Sequence, residues 1–184
     1  DASRVRTTLQ CVSSSSVVLS WTAEAGLTYH VYRRLAGSNG SFFRVDNTAG
    51  SLADPGETNG YFVDNTVDGA SSYSYMLIAQ DGSGNYSPRS AIIAANAAVV
   101  EAPVIDSIVP DHGSAVGGTA VSIYGSGFDM AGVNAVVGTV SLTGITVVSP
   151  FRINGTTQAG TVGTANVAVT NLSSALSAPT LVGA

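Results

Sequence analysis

The residues of this 184-residue chain that could carry out catalysis are few and widely separated. His112 lies beside Asp111, a combination that could act as acid and base or bind a metal ion. Adjacent residues in a turn usually point apart, however, and His30 belongs to a separate strand. Ser126 stands between two glycines as in a nucleophile elbow, but the pattern there indicates a strand ending in a bulge, with no helix after it. The sequence therefore predicts no catalytic residue and no enzyme.

The acidic residues are scattered over predicted turns and offer no facing pair of the kind that cleaves glycosides. Loops containing Asp64, Asp68 and Asp81, with Asn65 and Asn85, could converge and supply the oxygen ligands that calcium prefers. Asp and Asn are also the residues with which turns bind their own backbone, and the 81–85 loop lacks the spacing of an EF-hand. We therefore predict no metal and no cofactor, with calcium as the alternative that these loops leave open.

Aromatic side chains in an exposed row could bind sugars, and this chain offers several candidates. They are Tyr32, Phe42 or Phe43, Tyr61 and Tyr86. The two-residue period of a strand places one of Phe42 and Phe43 in the core, where large aromatic side chains are normally used. Four N-glycosylation sequons begin at Asn39, Asn85, Asn154 and Asn171, and we interpret them as markers of loops.

The composition argues against several classes of function. Only 10% of the residues are charged, the net charge is −5, and all seven basic residues are arginine. Such a chain lacks the cations that nucleic-acid binders and peripheral membrane proteins use against phosphates, so neither partner is expected. No run of 18 apolar residues occurs, so membrane insertion is not expected either. The lone Cys11 allows no internal disulfide, and its place in an apparent strand predicts a buried thiol.

Short segments of alternating apolar and polar residues recur between Gly, Asn, Asp and Ser, and no helical period extends over a dozen positions. This pattern predicts an all-β protein. A first series of predicted strands comprises 4–12, 17–22, 28–35, 42–47, 60–65, 72–81 and 90–95. A second series comprises 104–109, 119–124, 135–137, 140–142, 145–148, 151–153, 165–170 and 175–182. We therefore expect two tandem β-sandwiches, at 1–97 and 103–184, joined by a short linker at 98–102.

Several motifs of the first half occur in an informative order. Val18-Leu19-Ser20-Trp21 is followed by Tyr29-His30-Val31-Tyr32-Arg33, in which Tyr29 and Val31 point inward and His30 and Tyr32 outward. Ser38-Asn39-Gly40 predicts a tight hairpin turn. Together with 62–69, Tyr73-Ser74-Tyr75 and the 81–87 loop, these segments resemble a fibronectin type III domain over about 4–95. The resemblance implies that Trp21 fills the core and that Tyr73 forms a tyrosine corner.

The second half has a sharper signature. It begins with the segment 103–110, continues through Gly113 and Gly117-Gly118, and reaches Gly125, Gly127 and Phe128. The paired glycines permit a turn that no side chain would fit, Val121 and Ile123 alternate into the core, and the later glycines suit a bulge. With 165–171 as a late strand, the half resembles an IPT/TIG domain, an immunoglobulin-like sandwich, to about residue 182. The resemblance implies that Phe128 fills one end of the core.

Both families are scaffolds that host many functions. The resemblance and the scarcity of charge favour a non-enzymatic, extracellular structural, adhesive or assembly module of a surface protein, secreted filament or virion. Its expected partners are proteins or further copies of the chain, because edge strands without lysine leave strand pairing unopposed. The alternative is an accessory, carbohydrate-binding module of a secreted polysaccharide-active enzyme.

Overall fold

The structure is a computed structural model that describes residues 7–13, 15–46, 56–96 and 100–182. The chain divides into two compact units, 1–100 and 101–184. Strands, bridges and turns make up the regular structure of the described residues, among which no helix is long and apolar enough to cross a membrane. The all-β fold and its two tandem sandwiches are confirmed. The linker at 98–102 stays a prediction, because residues 97–99 lie outside the described residues.

The described residues of the first unit form seven strands in two antiparallel sheets. They are β1 (Thr7–Ser13), β2 (Ser16–Trp21), β3 (Leu27–Leu35), β4 (Phe43–Arg44), β5 (Tyr61–Asp64), β6 (Ser72–Asp81) and β7 (Ile93–Asn96). One sheet has the order β1-β2-β5 and the other the order β4-β3-β6-β7. The pairing of β3 with β6 extends from Leu27 opposite Asp81 to Leu35 opposite Tyr73. Successive residues of a strand alternate between the two faces, so Tyr29 and Val31 of β3, with Tyr75 and Leu77 of β6, enter the core.

The core of the first unit confirms the predicted positions of its main side chains. Trp21 is 7% exposed, and its ring centroid lies 5.4 Å from that of the fully buried Tyr29. Cys11 is buried, with its Sγ donating to the backbone oxygen of Asn96. Tyr73 forms the predicted tyrosine corner, since its hydroxyl accepts from the N–H of Asp68 and donates to the Asp68 carboxylate. The corner thereby fixes the connection that crosses from one sheet to the other.

The connection between β3 and β4 differs from the prediction. The turn lies at 35–38, where the Ser38 N–H donates to the Leu35 oxygen and Gly37 has a φ of +71°. Ser38-Asn39-Gly40 is not a tight hairpin turn, because Gly40 does not take the positive φ that such turns require.

The strand predicted at 42–47 is reduced to two residues among those described. The prediction that Phe42 or Phe43 fills the core is wrong: Phe43 is 52% exposed and Phe42 is half-buried. Val45 packs against the core in their place. The connection between β3 and β4 is longer than a two-residue turn. The alternation of inward and outward side chains therefore does not continue from β3 into this segment.

Residues 101–182, the described part of the second unit, also form seven strands. They are β8 (Val104–Val109), β9 (Ala120–Ser126), β10 (Val133–Val137), β11 (Val140–Ser141), β12 (Thr143–Ser149), β13 (Arg152–Thr156) and β14 (Val167–Asn171). One sheet has the order β12-β13-β9-β8 and the other the order β11-β10-β14. The strand predicted at 175–182 is not continuous, because only two isolated bridges join it to β14, at Ser177 and Leu181.

Glycines allow the close packing at one end of the second core. Phe128 is fully buried, as predicted, and so is Ile123. A Cβ on Gly125 would overlap the carbonyl oxygen of Val104 and lie 2.8 Å from Cζ of Phe128. Gly117 and Gly118 both have a φ of +82°, which confirms the predicted turn. Small residues are therefore required where β9 enters and leaves the sheet.

Candidate functional site

The outer side of β3 in the first unit brings together aromatic and cationic side chains that are distant in sequence. The even-numbered residues of β3 point to this side, and Arg44 of β4 lies directly opposite Tyr32. The connection between β3 and β4 adds the ring of Phe42, and the connection between β6 and β7 adds the ring of Tyr86. We call this surface the β3 face and define it by His30, Tyr32, Arg34, Phe42, Arg44 and Tyr86.

His30 lies on the outer side of the sheet, as predicted, but its ring is only 2% exposed. Its Nε2 lies 3.1 Å from Oε1 of Gln80, and its Nδ1 lies 3.5 Å from a carboxylate oxygen of Asp46. Gly56 approaches so closely that a Cβ there would lie 2.8 Å from the imidazole. The Tyr86 ring is also near, with 5.9 Å between the centroids. His30 therefore supports the face from beneath and is not a solvent-exposed acid or base.

The Asp46 carboxylate links β3 to β4 at the edge of this sheet. One of its oxygens accepts from the Val31 N–H at 3.0 Å and from Nε of Arg44 at 2.9 Å. The other accepts from Nη2 of Arg44 at 3.1 Å, which makes the pair bidentate. Burial raises the pKa of the neighbouring Tyr32, Arg44 opposes that rise, and Asp46 and Tyr86 add to it. Arg44 is therefore compensated in charge and fixed in orientation.

Arg34 differs from Arg44 in the contacts of its guanidinium. Its guanidinium carbon lies 4.6 Å from the ring centroid of Phe42, a cation–π arrangement. Its Nη1 makes one long contact, 3.5 Å, with the oxygen of Gly40, while Nε is buried without a hydrogen-bond partner. Among the described residues no carboxylate lies within ion-pair distance of it. With Tyr86 at 64% exposure, the β3 face presents an uncompensated cation and an accessible phenol.

The inner side of β3 carries a charged group that the sequence interpretation missed. Nη1 of Arg33 donates to Asp64 at 2.7 Å and to the Thr66 hydroxyl at 2.8 Å, and both ionised side chains are buried. The Tyr75 hydroxyl donates to the same carboxylate at 2.9 Å, and burial, followed by Asp64, raises the pKa of Tyr75. The signal was available, because the alternation that places Val31 inward also places Arg33 inward.

The structure does not bring together the residues considered for calcium. Asp64 accepts a hydrogen bond from Arg33 in the buried pair, while Asp68 accepts hydrogen bonds from Ala70, Ser71 and Tyr73. Asp81 accepts from the backbone of Ser83 and from both amide groups of Asn85, and these hydrogen bonds lower its pKa. Within 7–13, 15–46, 56–96 and 100–182, no group of three or more His, Cys, Asp or Glu side chains could hold a metal ion. Each carboxylate instead closes its own loop.

In the second unit, His112 and Asp111 are in contact, contrary to the expectation that they point apart. Nδ1 of His112 lies 2.9 Å from an Asp111 oxygen, and this hydrogen bond lowers the pKa of Asp111. Both side chains are more than four-fifths exposed, on the rim of an open cleft of about 990 Å³. Ser126 ends β9, a strand with no helix after it in the described chain, so the serine is not at a nucleophile elbow.

The aromatic candidates divide between two surfaces. Tyr32, Phe42 and Tyr86 all lie on the β3 face, whereas Tyr61 lies on β5 in the other sheet. Phe43 lies at the sheet edge, with Arg33 5.3 Å from its ring centroid. Three of the five candidates therefore share one surface.

The sequons do not all mark loops. Asn39 and Asn85 are in exposed connections, as predicted, but Asn154 lies in β13. Asn171 is fully buried at the end of β14, where its amide donates to the Gly127 oxygen and accepts from the Asp129 N–H. Interpreting Asn171 as a loop marker is wrong, because its side chain replaces missing backbone partners inside the fold.

The outer side of β9 and β13 offers a second aromatic–arginine pair. The guanidinium carbon of Arg152 lies 5.5 Å from the ring centroid of Tyr124. Here the guanidinium is occupied: Nε donates to Oδ1 of Asn154 at 3.0 Å and Nη2 to the Ser122 hydroxyl at 3.1 Å. Arg152 is thus bound to its own sheet in a way that Arg34 is not.

One domain family and several solved structures are similar to parts of this chain. The IPT/TIG domain family matches residues 103–182, and no curated protein matches the chain. Over the first half, the chain is similar to an Fn3-like protein from Clostridium thermocellum, at 22% identity over 51% of this chain and 92% of that one, with a TM-score of 0.38. It is also similar there to the FN5 domain of Drosophila Lar, at 20% identity over 49% and 88%, with a TM-score of 0.38.

A third similar structure spans both units. It is SGBP-B from a complex xyloglucan utilization locus in Bacteroides uniformis, at 15% identity over 98% of this chain and 47% of that one, with a TM-score of 0.45. The strand orders described above and the family match define the architecture of the chain. Residues 103–182 of the second unit match the IPT/TIG domain family, and the first unit, a β-sandwich of its own, is similar to fibronectin type III domains.

Proposed function

We propose that this chain is a non-catalytic, extracellular module of a surface protein, secreted filament or virion, and that it acts by associating with proteins, including further copies of itself. Fibronectin type III and IPT/TIG domains are typically non-catalytic, commonly extracellular and generally mediate protein interactions. The buried polar groups of the first unit are consistent with this role, because they bind one another within the fold.

The observation that supports self-association best is the edge strand β12. It pairs with β13 on one side, and no described strand pairs with its other side. Its seven residues include no charge and no proline, and Thr146 and Val148 are exposed. Unprotected edges of this kind pair readily with another strand, and lysine is the residue that commonly prevents it. Register irregularities limit the regular part of this edge to its centre.

Sedimentation velocity over a range of protein concentrations tests the proposal. We expect the unmodified chain to associate as concentration rises, and the Thr146→Lys/Val148→Lys variant to stay monomeric. Ser83→Lys, in an exposed loop of the first unit, adds one positive charge outside β12 and is expected to associate like the unmodified chain. A monomeric profile at the highest concentration would contradict self-association, and equal suppression by Ser83→Lys would assign the effect to charge alone.

A second candidate function is that of a polysaccharide-binding accessory module. The observation that favours it is that Tyr32, Phe42 and Tyr86 lie on the same β3 face, with Tyr86 well exposed. Retention of the chain on a panel of immobilised polysaccharides tests this candidate. We expect Tyr86→Ala to reduce retention, whereas Tyr61→Ala, on the other sheet, leaves it unchanged. Absence of retention across the panel would exclude this function and leave the first proposal standing.

A further inference from the structure

We infer that the β3 face recognises the carboxylate-bearing units of an acidic polysaccharide, with Arg34 pairing with a uronate and Tyr86 contacting a sugar ring. This inference rests on the second candidate function. It adds to that function the class of sugar and the residue that selects it.

The geometry of the β3 face suits an extended chain. His30, Tyr32 and Arg34 are successive outward residues of one strand, so the row spans about 14 Å at roughly 3.4 Å per residue. Tyr86 lies over the His30 end and the Arg34–Phe42 pair lies at the other end. An aromatic contact and a charged contact are therefore separated along one line, which more than one sugar unit of a polymer could follow.

Charge decides between a neutral and an acidic sugar. Of the two arginines on the face, Arg44 is neutralised by its bidentate contact with the buried Asp46. Arg34 has no described carboxylate partner, the ring of Phe42 restricts its guanidinium, and the one hydrogen bond described for it is the long contact of Nη1 with the Gly40 oxygen. A planar guanidinium with open donors matches a carboxylate in a bidentate pair. Because the chain as a whole carries a charge of −5, a polyanion would bind at this local cation and not to the surface in general.

The second unit provides a matched control. Arg152 also lies over an aromatic ring, Tyr124, but Asn154 and Ser122 occupy its Nε and Nη2. Removing this arginine subtracts the same charge from the chain and changes no residue of the β3 face. A general electrostatic effect would therefore appear equally in Arg34 and Arg152 variants, whereas a site would appear only in the first.

Isothermal titration calorimetry or affinity electrophoresis with polygalacturonate and with its fully methyl-esterified form tests the inference, because esterification removes the carboxylate charge and otherwise adds only a methyl group to each sugar unit. We expect the unmodified chain to bind the acid form at least about fivefold more tightly, and less so as salt increases. Arg34→Gln should lower that affinity about five- to tenfold and abolish the preference, while Arg34→Lys retains part of it. Tyr86→Ala should weaken both probes alike, and Arg152→Gln should change neither.

Each other outcome overturns the inference in a distinguishable way. Equal affinity for both probes, unchanged by Arg34→Gln, would exclude uronate recognition and leave polysaccharide binding intact. Binding that falls equally in Arg34→Gln and Arg152→Gln would exclude a site at Arg34. If neither probe binds, the inference fails, and retention on the neutral polysaccharides of the panel decides separately whether the second candidate function survives. The thermal transition of each variant shows whether a loss reflects unfolding.

Discussion

The two sandwiches connect their sheets with different chemistry. In the first unit, Arg33 of one sheet and Asp64 of the other form a buried ion pair, to which Tyr75 adds a hydrogen bond. In the second, Asn171 at the end of β14 binds the backbone of the segment that follows β9 in the opposite sheet. One connection is ionic and the other is a neutral amide.

This difference shows that a shared architecture does not fix how a sandwich satisfies its buried polar groups. A buried ion pair must overcome the cost of removing two charges from water, so its partners depend strongly on each other. An amide that bridges two backbone groups carries a smaller desolvation cost and a smaller loss when removed. We therefore expect the first unit to be the more sensitive of the two to single changes at its polar connection.

Truncation of the central aromatic residue should destabilise the two units equally and give the largest effect. Trp21→Ala and Phe128→Ala each remove a buried aromatic side chain and should cost about 3 to 5 kcal/mol. Calorimetry that resolves two transitions measures both variants, and Trp21 fluorescence reports the first unit in Phe128→Ala because it is the only tryptophan. A loss below about 1 kcal/mol would contradict the assignment of that side chain as a core residue.

Breaking the ion pair should come next in size and affect the first unit alone. Asp64→Ala leaves the Arg33 guanidinium buried with Thr66 as its remaining partner, at a cost of about 3 kcal/mol. Trp21 fluorescence during denaturant unfolding measures it. The double variant Arg33→Met/Asp64→Leu should regain much of the loss, because well-packed apolar groups replace both charges. A double variant as unstable as Asp64→Ala would show that packing, and not the unpaired charge, causes the loss.

Removal of the neutral connection should cost less. Asn171→Ala leaves the Gly127 oxygen and the Asp129 N–H without their partner, and we expect a loss of about 1 to 3 kcal/mol in the second unit. The second calorimetric transition measures this, with the first transition as the internal control. If the loss equalled or exceeded that of Asp64→Ala, the proposed contrast between ionic and neutral connections would be wrong.

The sequence predicted those parts of the fold that depend on alternation and on local turn chemistry. The inward position of Ile123 follows from alternation and the turn at Gly117-Gly118 from the glycine pair, whereas the core positions of Trp21 and Phe128 and the tyrosine corner were implied by the family resemblances. Tertiary crossings were not predictable in the same way. His30 is covered because Gly56 and Tyr86, distant in sequence, lie over it.

The same distinction applies to the candidate site. Tyr32, Phe42 and Tyr86 could be named as aromatic candidates, but Phe42 reaches the β3 face through the connection between β3 and β4, and Tyr86 reaches it through a separate connection that packs on His30. The pairing of Arg44 with Asp46 likewise arises where the chain leaves the connection between β3 and β4, and among the described residues Arg34 has no carboxylate that corresponds to Asp46. Two-residue periodicity contains no information about either contact.

Acid should reveal the smallest difference between the units. Hydrogen bonds from Ala70, Ser71 and Tyr73 lower the pKa of Asp68, and hydrogen bonds from Asn85 and its neighbours lower that of Asp81, whereas the second unit has Asp111 among its described residues. A carboxyl whose folded pKa is lowered stabilises the fold above its ordinary value of 3.8, and this stabilisation is lost as the pH falls through the folded pKa. The melting temperature of the first unit should therefore fall more steeply below about pH 4 than that of the second.

Thermal scans across this pH range measure both slopes. Asp68→Asn should flatten the slope of the first unit, since an amide keeps an acceptor oxygen for the tyrosine corner but does not titrate. Parallel slopes in the two units, or an unchanged slope in Asp68→Asn, would show that these loop carboxylates do not determine the acid stability of the first sandwich.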